Sequence, residues 1–405
     1  MDYFKRRKNL LEKLEDNSIL VLFAGEEIIR NADEMYNFTV NHSFYYFTGI
    51  TQKNSILFLS KIAGVTHEEL YLLKADPKEA KWIGDFLDHQ KVKEIAQIDE
   101  IYPVEDFITN LNRLILHKNP QTIYLDMEHL RSDNYKDGKF RDYVSKNYLS
   151  LDIKNCYLVI CSLRSIKEEL EINCIKKALE ITAEGLEAVR DSLATAKNEN
   201  DIAALFEYTI RINGGKETSF GSIVGSGKNG TILHYNSNDA PLNDGDLLLI
   251  DCGAKYEHYS ADITRTYPIN GKFDARQKMI YEIVLKGQKM IISKVKPGIS
   301  PIQLNDILRE YYHKELKEIG LIKKPEDLDN YYWHGVSHYL GLDTHDLNVL
   351  KDQPLQEGNV ITVEPGLYIS EWNIGIRIED NVLVCKEGCE VLSKAIEKEI
   401  EDIER

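Results

Sequence analysis

Four carboxylates and one histidine lie in segments that otherwise consist mostly of apolar residues and glycine. The segments are LLLIDCGA, HYSADITRT, HGVSHYLG, ITVEPGLY and GIRIEDNVLV, and the five residues are Asp251, Asp262, His338, Glu364 and Glu379. Burying an unpaired carboxylate is costly, so a carboxylate in such a segment needs a cation or a shifted pKa. Several of these side chains could share the cost by holding a divalent metal ion. The fold must therefore supply partners for charges in these positions.

Length and composition indicate a globular protein of two domains. The chain has 405 residues, more than one simple core usually accommodates, and we place the domains at residues 1–160 and 161–405. An apolar fraction of 43% and a charged fraction of 29% are ordinary for a soluble protein. The formal net charge of −16 argues against a broad nucleic-acid-binding surface and against binding to anionic membranes. We therefore expect neither nucleic acid nor membrane as a partner.

The cysteines and the amino terminus indicate a cytoplasmic protein. The six cysteines form no CxxC pair and no dense framework, which is typical of reduced thiols. Cys385 and Cys389 could form half of a zinc site, but no second Cys/His pair of suitable spacing lies nearby. The first residues, MDYFKRRKNLLEKLED, are charged where a signal peptide is apolar. No run approaches the roughly 18 apolar residues that span a bilayer.

The first domain alternates strand-like and helical patterns. Strands are predicted for SILVLFAG, SFYYFTGI, NSILFLS and ELYLLK, which are rich in aromatic and β-branched residues. Amphipathic helices are predicted around residues 4–15, 79–87 and 104–116. The composition of this small α/β domain assigns it no chemistry.

The second domain shows one order of elements twice. Ser165 and Glu168 match an S-x-x-E capping box at the start of a long amphipathic helix, followed by a second helix at about 201–212. A further helix pair is predicted at about 275–295 and 302–319. Strands that bear a carboxylate pair follow each helix pair. In this α/β (α+β) fold, two half-domains related by an approximate twofold could bring both carboxylate pairs to a single site.

The first carboxylate pair flanks a segment, AKYEHYS, that suits a hairpin. Antiparallel strands on either side of it would place Asp251 and Asp262 within a few ångströms of each other. Each aspartate alone could be an ordinary residue at the end of a strand. Together they repel each other unless one is protonated or a cation lies between them.

The segment HGVSHYLGLDTHD contains three histidines, His334, His338 and His345. The i, i+4 spacing of the first two suits a helical zinc site, but Gly335, Gly341 and the missing glutamate of HExxH indicate a loop or turn. Three histidines in so short a segment, with glycines that permit close backbone approach, favour a functional site. His234, in ILHYNSN, would be interpreted as structural if it stood alone.

The types of ligand constrain the metal. Four carboxylates and one imidazole form a mostly hard oxygen site, which favours Mn²⁺, Mg²⁺ or Co²⁺ over a thiolate-type zinc site. Four negative charges are neutralised by two divalent ions rather than one. A two-metal centre can generate hydroxide at neutral pH, so the residues predict metal-dependent hydrolysis without naming the bond.

The sequence resembles the pita-bread metallopeptidases, and within them the aminopeptidase P branch. The resemblance rests on DGDLLLIDCGAKYEHYSADITRTYP, HGVSHYLGLDTHD, VEPGLY and GIRIEDNVLV, and on the amino-terminal RNADEMYNFTVNHSFYYFTGI. It spans nearly the whole chain. It implies a small amino-terminal domain of the aminopeptidase P/prolidase type, followed by a catalytic pita-bread domain with a pseudo-twofold repeat.

The resemblance also implies a role for each candidate residue. Two metal ions, commonly Mn²⁺ with Co²⁺ or Zn²⁺ as alternatives, would be bound by Asp251, Asp262, His338, Glu364 and Glu379. Asp262 and Glu379 would bridge the ions, and a hydroxide between the ions would attack the scissile carbonyl. Glu364 would be a ligand and a proton shuttle.

The remaining candidates would act on the substrate. The resemblance implies that His234 and His345 stabilise the tetrahedral intermediate or orient the substrate, so that they count with Glu364 as catalytic. His334 would line the proline side of the cleft. Arg377 is also counted among the substrate-binding residues. It lies two residues before Glu379 and would fix the Glu379 carboxylate.

The implied activity is that of an Xaa-Pro aminopeptidase, which acts on peptides with proline at the second position. An Xaa-Pro dipeptidase is the alternative, because it uses the same ligands. Creatine-cleaving relatives work without metals, and a catalytically inactive binding module would not need the ligands, so the presence of all five ligand residues opposes both. The resemblance further implies a homo-oligomer, either a dimer or a tetramer.

Two positions depart from the pattern of the resembled family. Thr39 stands where the amino-terminal motif often has arginine. Trp82 resembles a substrate-capping aromatic residue, but the basic residue that often follows is missing, and a buried core tryptophan is the alternative. These departures concern the amino end of the substrate and subunit contacts, and they leave the candidate ligands intact.

Overall fold

The computed structural model describes residues 1–74, 81, 87–128 and 136–404. The chain divides into two compact units, Met1–Arg164 and Ser165–Arg405. The predicted helix at residues 79–87 and the prediction for Trp82 lie outside the described residues, apart from positions 81 and 87. Among the helices described, none combines the length and the apolar character needed to cross a membrane.

The first unit is a mixed sheet with helices. Its helices are α1 Tyr3–Lys13, α2 His42–Thr48, α3 His89–Ala96, α4 Phe107–Lys118, α5 Lys136–Asn147 and α6 Tyr157–Ser165. Its strands are β1 Ser18–Phe23, β2 Ile29–Asn31, β3 Glu34–Met35, β4 Ile56–Ile62, β5 Val65–Leu72, β6 Ile101–Pro103, β7 Thr122–Leu125 and β8 Asp152–Asn155.

The main sheet of this unit has the strand order β6-β5-β4-β1-β7-β8 within the described residues. β1 runs antiparallel to β4 and parallel to β7. Every residue of β1 is buried, as expected for an apolar run in a central strand covered on both faces. Val21, Phe58, Phe107 and Leu125 pack in one core cluster against this sheet.

The predicted strand SFYYFTGI is wrong, because these residues form α2. Asn41 caps the helix by accepting a hydrogen bond from the Phe44 N–H at 2.9 Å, and Gly49 ends it with a φ of 68°. Residues 43–48 are all buried. A segment buried all round has no polar face that would reveal a helical period, so its aromatic composition misled the prediction.

The second unit contains the repeated order of elements. Its helices are α7 Glu169–Ser192, α8 Glu199–Ile212, α9 Ala275–Ile292, α10 Pro301–Glu318 and α11 Ile400–Ile403. Its strands are β9 Ile223–Ser226, β10 Leu247–Cys252, β11 Lys255–Tyr256, β12 Tyr259–Ser260, β13 Ile263–Pro268, β14 Val360–Val363, β15 Gly366–Ile369, β16 Ile374–Arg377, β17 Asp380–Val384 and β18 Cys389–Val391. Two helices precede each strand region, which confirms the predicted architectural repeat.

The start of α7 differs from the prediction. Ser165 is the last residue of α6 and cannot cap the next helix. The cap is instead Glu168, whose N–H donates to the Glu171 carboxylate at 2.9 Å. The long amphipathic helix itself is confirmed, with Ile175, Leu179 and other residues of its apolar stripe buried.

Each half of the second unit contributes a small antiparallel sheet. The strand orders are β13-β10-β9 in the first half and β14-β17-β18 in the second. The hairpins β11-β12 and β15-β16 accompany them. Both predicted carboxylate pairs lie on or directly beside these strands.

Candidate metal centre

The first carboxylate pair lies on one face of the β10–β13 ladder. Asp251 in β10 pairs with Thr264 in β13, and Asp262 directly precedes β13. Since residues two apart in a strand share a face, Asp262 and Thr264 lie on the side that carries Asp251. The predicted hairpin is β11-β12, whose two loop residues, Glu257 and His258, have φ values of 47° and 69°. Such a two-residue loop matches the twist of the flanking strands.

The second carboxylate pair lies at one end of the β14–β17 ladder. Val363, the last residue of β14, pairs with Asp380, the first residue of β17. Glu364 directly follows Val363, and Glu379 directly precedes Asp380. The Glu364 N–H donates to the Val336 carbonyl at 2.9 Å, which joins the end of β14 to the histidine-rich segment.

Hydrogen bonds join the two halves where the pairs meet. The Thr264 hydroxyl donates to Glu379 Oε2 at 2.7 Å, and the Glu379 N–H donates to the Thr264 carbonyl at 3.1 Å. Asn381 accepts from the Asp262 N–H at 3.1 Å and donates to the Asp262 carbonyl at 2.6 Å. Residues from both halves therefore hold the carboxylates in place.

His338 lies in a non-helical segment and presents one ring nitrogen to the carboxylates. Its Nδ1 lies 2.9 Å from the Tyr339 carbonyl, which fixes Nδ1 as the protonated nitrogen. Nε2 then faces Asp262 Oδ2 at 3.4 Å and Glu364 Oε1 at 3.3 Å. Ligand atoms of Asp262, His338 and Glu379 all lie within 4.8 Å of one another.

The carboxylates of Asp251, Asp262 and Glu379 are buried, Glu364 is partly buried, and the four repel one another. Burial, and then the charges of Asp251 and Glu364, raise the pKa of Asp262 well above its usual range. Burial, followed by Asp262 and Glu364, raises the pKa of Glu379 in the same way. Burial also raises the pKa of Glu364. Oδ1 of Asp251 is buried and lacks a hydrogen-bond partner among the described residues, so the donor set fits a divalent cation.

Arg377 contacts Asp251 rather than Glu379. Its Nη2 donates to Asp251 Oδ2 at 2.5 Å, and its Nε donates to the Thr264 hydroxyl at 2.9 Å. Arg377 therefore reaches the predicted partner Glu379 only indirectly, because both side chains hydrogen-bond to the Thr264 hydroxyl. The guanidinium is buried, and its Nη1 donates to the Tyr368 hydroxyl at 2.9 Å.

His334 and His345, the other histidines of this segment, lie beside Glu364 and His338, respectively. The Nε2 of His334 lies 2.9 Å from the Tyr368 hydroxyl, and burial followed by Arg377 lowers the pKa of His334 to about 3. The ring centroid of His345 lies 4.5 Å from that of His338. Desolvation, followed by His338 and His234, lowers the pKa of His345 to about 4. Both imidazoles are therefore neutral at neutral pH, while His234 is exposed on a turn.

A second group with suitable ligand atoms lies in the first unit, at His67, Glu69 and Glu100. His67 Nε2 lies 2.9 Å from Glu69 Oε1, and Glu100 Oε2 accepts from the Tyr102 hydroxyl at 2.7 Å. These side chains are partly exposed, and their hydrogen bonds to one another and to Tyr102 already account for their arrangement.

The family comparisons agree with this geometry. The family described as "Metallopeptidase family M24" matches residues 173–386, which hold all the candidate ligands. This chain belongs to metallopeptidase family M24. A second family, "Aminopeptidase P, N-terminal domain", matches residues 3–124.

Individual M24 proteins match over the whole chain. The "Xaa-Pro aminopeptidase" of Haemophilus influenzae is 36% identical, with 100% of this chain and 96% of the relative covered. A structure from Bacillus anthracis, provisionally named aminopeptidase P, is 41% identical with a TM-score of 0.95, covering 99% of this chain and 96% of that one. Zn-substituted aminopeptidase P from Escherichia coli in complex with product is 30% identical with a TM-score of 0.90, covering 100% and 97%.

These matches confirm three predictions. The resemblance to aminopeptidase P, the two-domain fold with a pita-bread M24 domain, and the assignment as a metallo-aminopeptidase are all supported by family and structure. The ligand and catalytic roles of individual residues stay predictions.

Sequence reasoning missed several residues that hold the M24 site together: Thr264, Thr362, Tyr368 and Asn381. Two of them left a signal in the sequence. Thr264 follows Asp262 at the strand period of two, and Asn381 follows Glu379 in the same way. Thr362 connects two candidate ligands, because its hydroxyl accepts from the His338 N–H at 3.1 Å and donates to Glu364 Oε1 at 3.2 Å.

Proposed function

We propose that this protein is an Xaa-Pro aminopeptidase that releases the first residue of peptides whose second residue is proline. The observation that carries the proposal is the convergence of four carboxylates and His338 at one site, in a chain that matches an Xaa-Pro aminopeptidase over its full length. Four carboxylates so close together, three of them buried, would be strongly destabilising without a compensating cation. A peptidase that works through metal ions accounts for them.

The metal ligands in this proposal are Asp251, Asp262, His338, Glu364 and Glu379. Two divalent ions, Mn²⁺ by preference with Co²⁺ or Zn²⁺ as alternatives, match four carboxylates in charge and a mainly oxygen donor set in type. When bound, such ions polarise a carbonyl oxygen and lower the pKa of water. The Zn-substituted relative supports exchange of one divalent ion for another.

The residues of this chain perform the remaining tasks. Glu364, a ligand and a proton shuttle in this proposal, would take a proton from the attacking water and pass it to the leaving nitrogen. His345 and His234 supply imidazoles that can donate hydrogen bonds to a developing oxyanion. His334, fixed by the Tyr368 hydroxyl, lines the pocket for the proline ring. Arg377 orients Asp251 from the buried side of the site.

The cellular compartment, the excluded partners and the oligomeric state are proposed from the cysteines, the net charge and the family likeness. All six cysteines are free thiols, which favours a reducing compartment such as the cytoplasm. The net charge of −16 disfavours nucleic acid and anionic membranes as partners. The likeness to aminopeptidase P favours a homo-oligomer, either a dimer or a tetramer.

The test is a peptide panel with a metal titration. The protein is treated with a chelator, resupplied with Mn²⁺, Co²⁺ or Zn²⁺, and offered Xaa-Pro, Xaa-Pro-Yaa and Xaa-Ala-Yaa peptides. We expect the first residue to be released from Xaa-Pro-Yaa and not from Xaa-Ala-Yaa, with the highest rate in Mn²⁺. Cleavage confined to Xaa-Pro would identify a dipeptidase. Activity that survives complete chelation would refute the metal mechanism, and inactivity with every metal would indicate a binding module.

A further inference from the structure

Glu199 is a buried carboxylate on which five hydrogen-bond donors converge. It is the first residue of α8 and its exposed fraction is 0%. Oε1 accepts from the Ser226 N–H at 2.7 Å, the Ser226 hydroxyl at 2.9 Å and the Asn229 amide at 3.1 Å. Oε2 accepts from the Tyr235 hydroxyl at 2.9 Å and the Ala240 N–H at 3.0 Å. Each carboxylate oxygen is therefore fully engaged.

These contacts serve a loop rather than the helix that bears Glu199. The cap of α8 is already supplied by Asn198, whose side chain accepts from the Asp201 N–H at 2.9 Å. All five donors to Glu199 belong to residues 226–240, the segment that begins at the last residue of β9. The positive end of the helix dipole further favours a carboxylate at this first position of α8.

The loop held by Glu199 carries His234. The donors flank this histidine on both sides in the sequence, with Ser226 and Asn229 before it and Tyr235 directly after it. The loop contains a 3₁₀ turn, Gly227–Thr231, but the residues around His234 have no regular backbone pairing of their own. The position of the exposed His234 imidazole therefore depends on side-chain anchors.

One further anchor ties the same loop to β9. Asn238 accepts from the Val224 N–H at 2.9 Å and donates to the Ser222 carbonyl at 2.8 Å. Asn238 adopts a φ of 48°, which asparagine tolerates better than most residues. Asn238 fixes the exit of the loop, while Glu199 connects its entry, its middle and its exit.

We propose that Glu199 is a positioning residue that holds the 226–240 loop so that His234 can act on the substrate. The inference rests on the proposed function, since His234 matters only if the site is catalytic. An imidazole displaced by about 1 Å can lose about 100-fold in rate. Glu199 itself lies beneath the loop and is a positioning residue rather than a catalytic one.

The test compares Glu199→Gln with the wild-type protein. Glutamine keeps the shape of the side chain, but it replaces one acceptor oxygen with an N–H donor group that would face a loop donor such as the Ala240 N–H. We expect kcat/KM for an Xaa-Pro-Yaa peptide to fall by about 10- to 100-fold. Hydrogen exchange of residues 222–241 should become about tenfold faster while exchange in α7 stays unchanged.

A double-mutant cycle tests whether the effect passes through His234. We expect Glu199→Gln combined with His234→Ala to be no slower than His234→Ala alone, because a mispositioned imidazole and a missing one cost the same step. Additive losses would overturn the inference. So would wild-type kcat/KM in Glu199→Gln, provided that the wild-type protein cleaves the peptide. An inactive wild-type protein would instead refute the proposed function.

Two further variants serve as controls. Glu207 lies on the exposed side of the same helix. Glu207→Gln should leave both kcat/KM and the hydrogen exchange of residues 222–241 unchanged. Tyr235→Phe removes one donor and keeps the other four, so it tests the same inference if Glu199→Gln does not fold. We expect Tyr235→Phe to lower kcat/KM by a smaller factor than Glu199→Gln does. An unchanged kcat/KM would count against the role of Glu199 in holding the loop.

Discussion

At the scale of single residues, the site combines charges that a folded protein does not hold together without compensation. Asp262 and Glu379 are buried, their pKa values are raised, and each has other carboxylates as neighbours. Arg377 offsets part of this charge through Asp251. The negative charge that Arg377 does not offset is the physical reason to expect divalent ions. The same charge should also affect the stability of the metal-free protein.

The metal-free protein should lose stability as pH rises. A carboxyl group with a raised pKa in the folded state stabilises the fold fully below its unfolded pKa of about 4, and this contribution disappears as pH rises through the folded value. Thermal unfolding of chelator-treated protein between pH 5 and 8 should show this decline. Protein saturated with Mn²⁺ should show less of it, because the bound ions replace the protons.

Asp262→Asn provides the matched control for this pH dependence. The substitution keeps the size of the side chain and removes one of the repelling charges. We therefore expect the metal-free variant to lose less stability than the metal-free wild type as pH rises. Parallel pH profiles for the two proteins would show that the cluster does not determine the dependence.

At the scale of secondary-structure elements, the two halves of the second unit are joined through strand ends. Asn381, at the start of β17, makes two hydrogen bonds to the backbone of Asp262, which lies 119 positions away in the sequence. Thr264 and Glu379 make a second connection across the halves. These links hold a candidate metal ligand from each half, and those to Asp262 use its backbone and leave its carboxylate oxygens available.

Replacing Asn381 with alanine should weaken this connection. The variant leaves the buried N–H and carbonyl of Asp262 without their partners, which costs about 1–3 kcal/mol of unfolding free energy for each unsatisfied group. Urea unfolding of metal-free protein measures the loss. Asn330→Ala, at an exposed position in a 3₁₀ turn, is the control and should change stability little. Equal midpoints for Asn381→Ala and the wild type would contradict the account.

Several elements could be predicted from sequence because a local rule decides them. The apolar stripe of α7 has a helical period, and the segment between Asp251 and Asp262 forms the expected hairpin. The α2 segment was predicted wrongly, because a fully buried run hides its period and the deciding caps, Asn41 and Gly49, lie outside it. Local patterns likewise do not reveal partners such as Asn381 and Asp262, because strand register joins them over a long distance.

At the scale of the whole molecule, one chain of family M24 gathers its site from both halves of a repeated unit. The Thr264 and Glu379 side chains that meet there are 115 residues apart in the sequence. The repeat explains how two carboxylate pairs reach one place, and the excess of negative charge explains why we expect two ions. We therefore expect the five predicted ligands to form one two-metal centre.

The most direct test is the metal content of the purified protein after reconstitution with Mn²⁺ and removal of free metal. We expect two ions per chain for the wild type. For Asp262→Ala we expect a clear loss of bound metal and of peptidase activity, with far-ultraviolet circular dichroism showing that the helices remain folded. Two tightly bound ions in Asp262→Ala, or a wild-type protein that binds none, would contradict the assignment of this site.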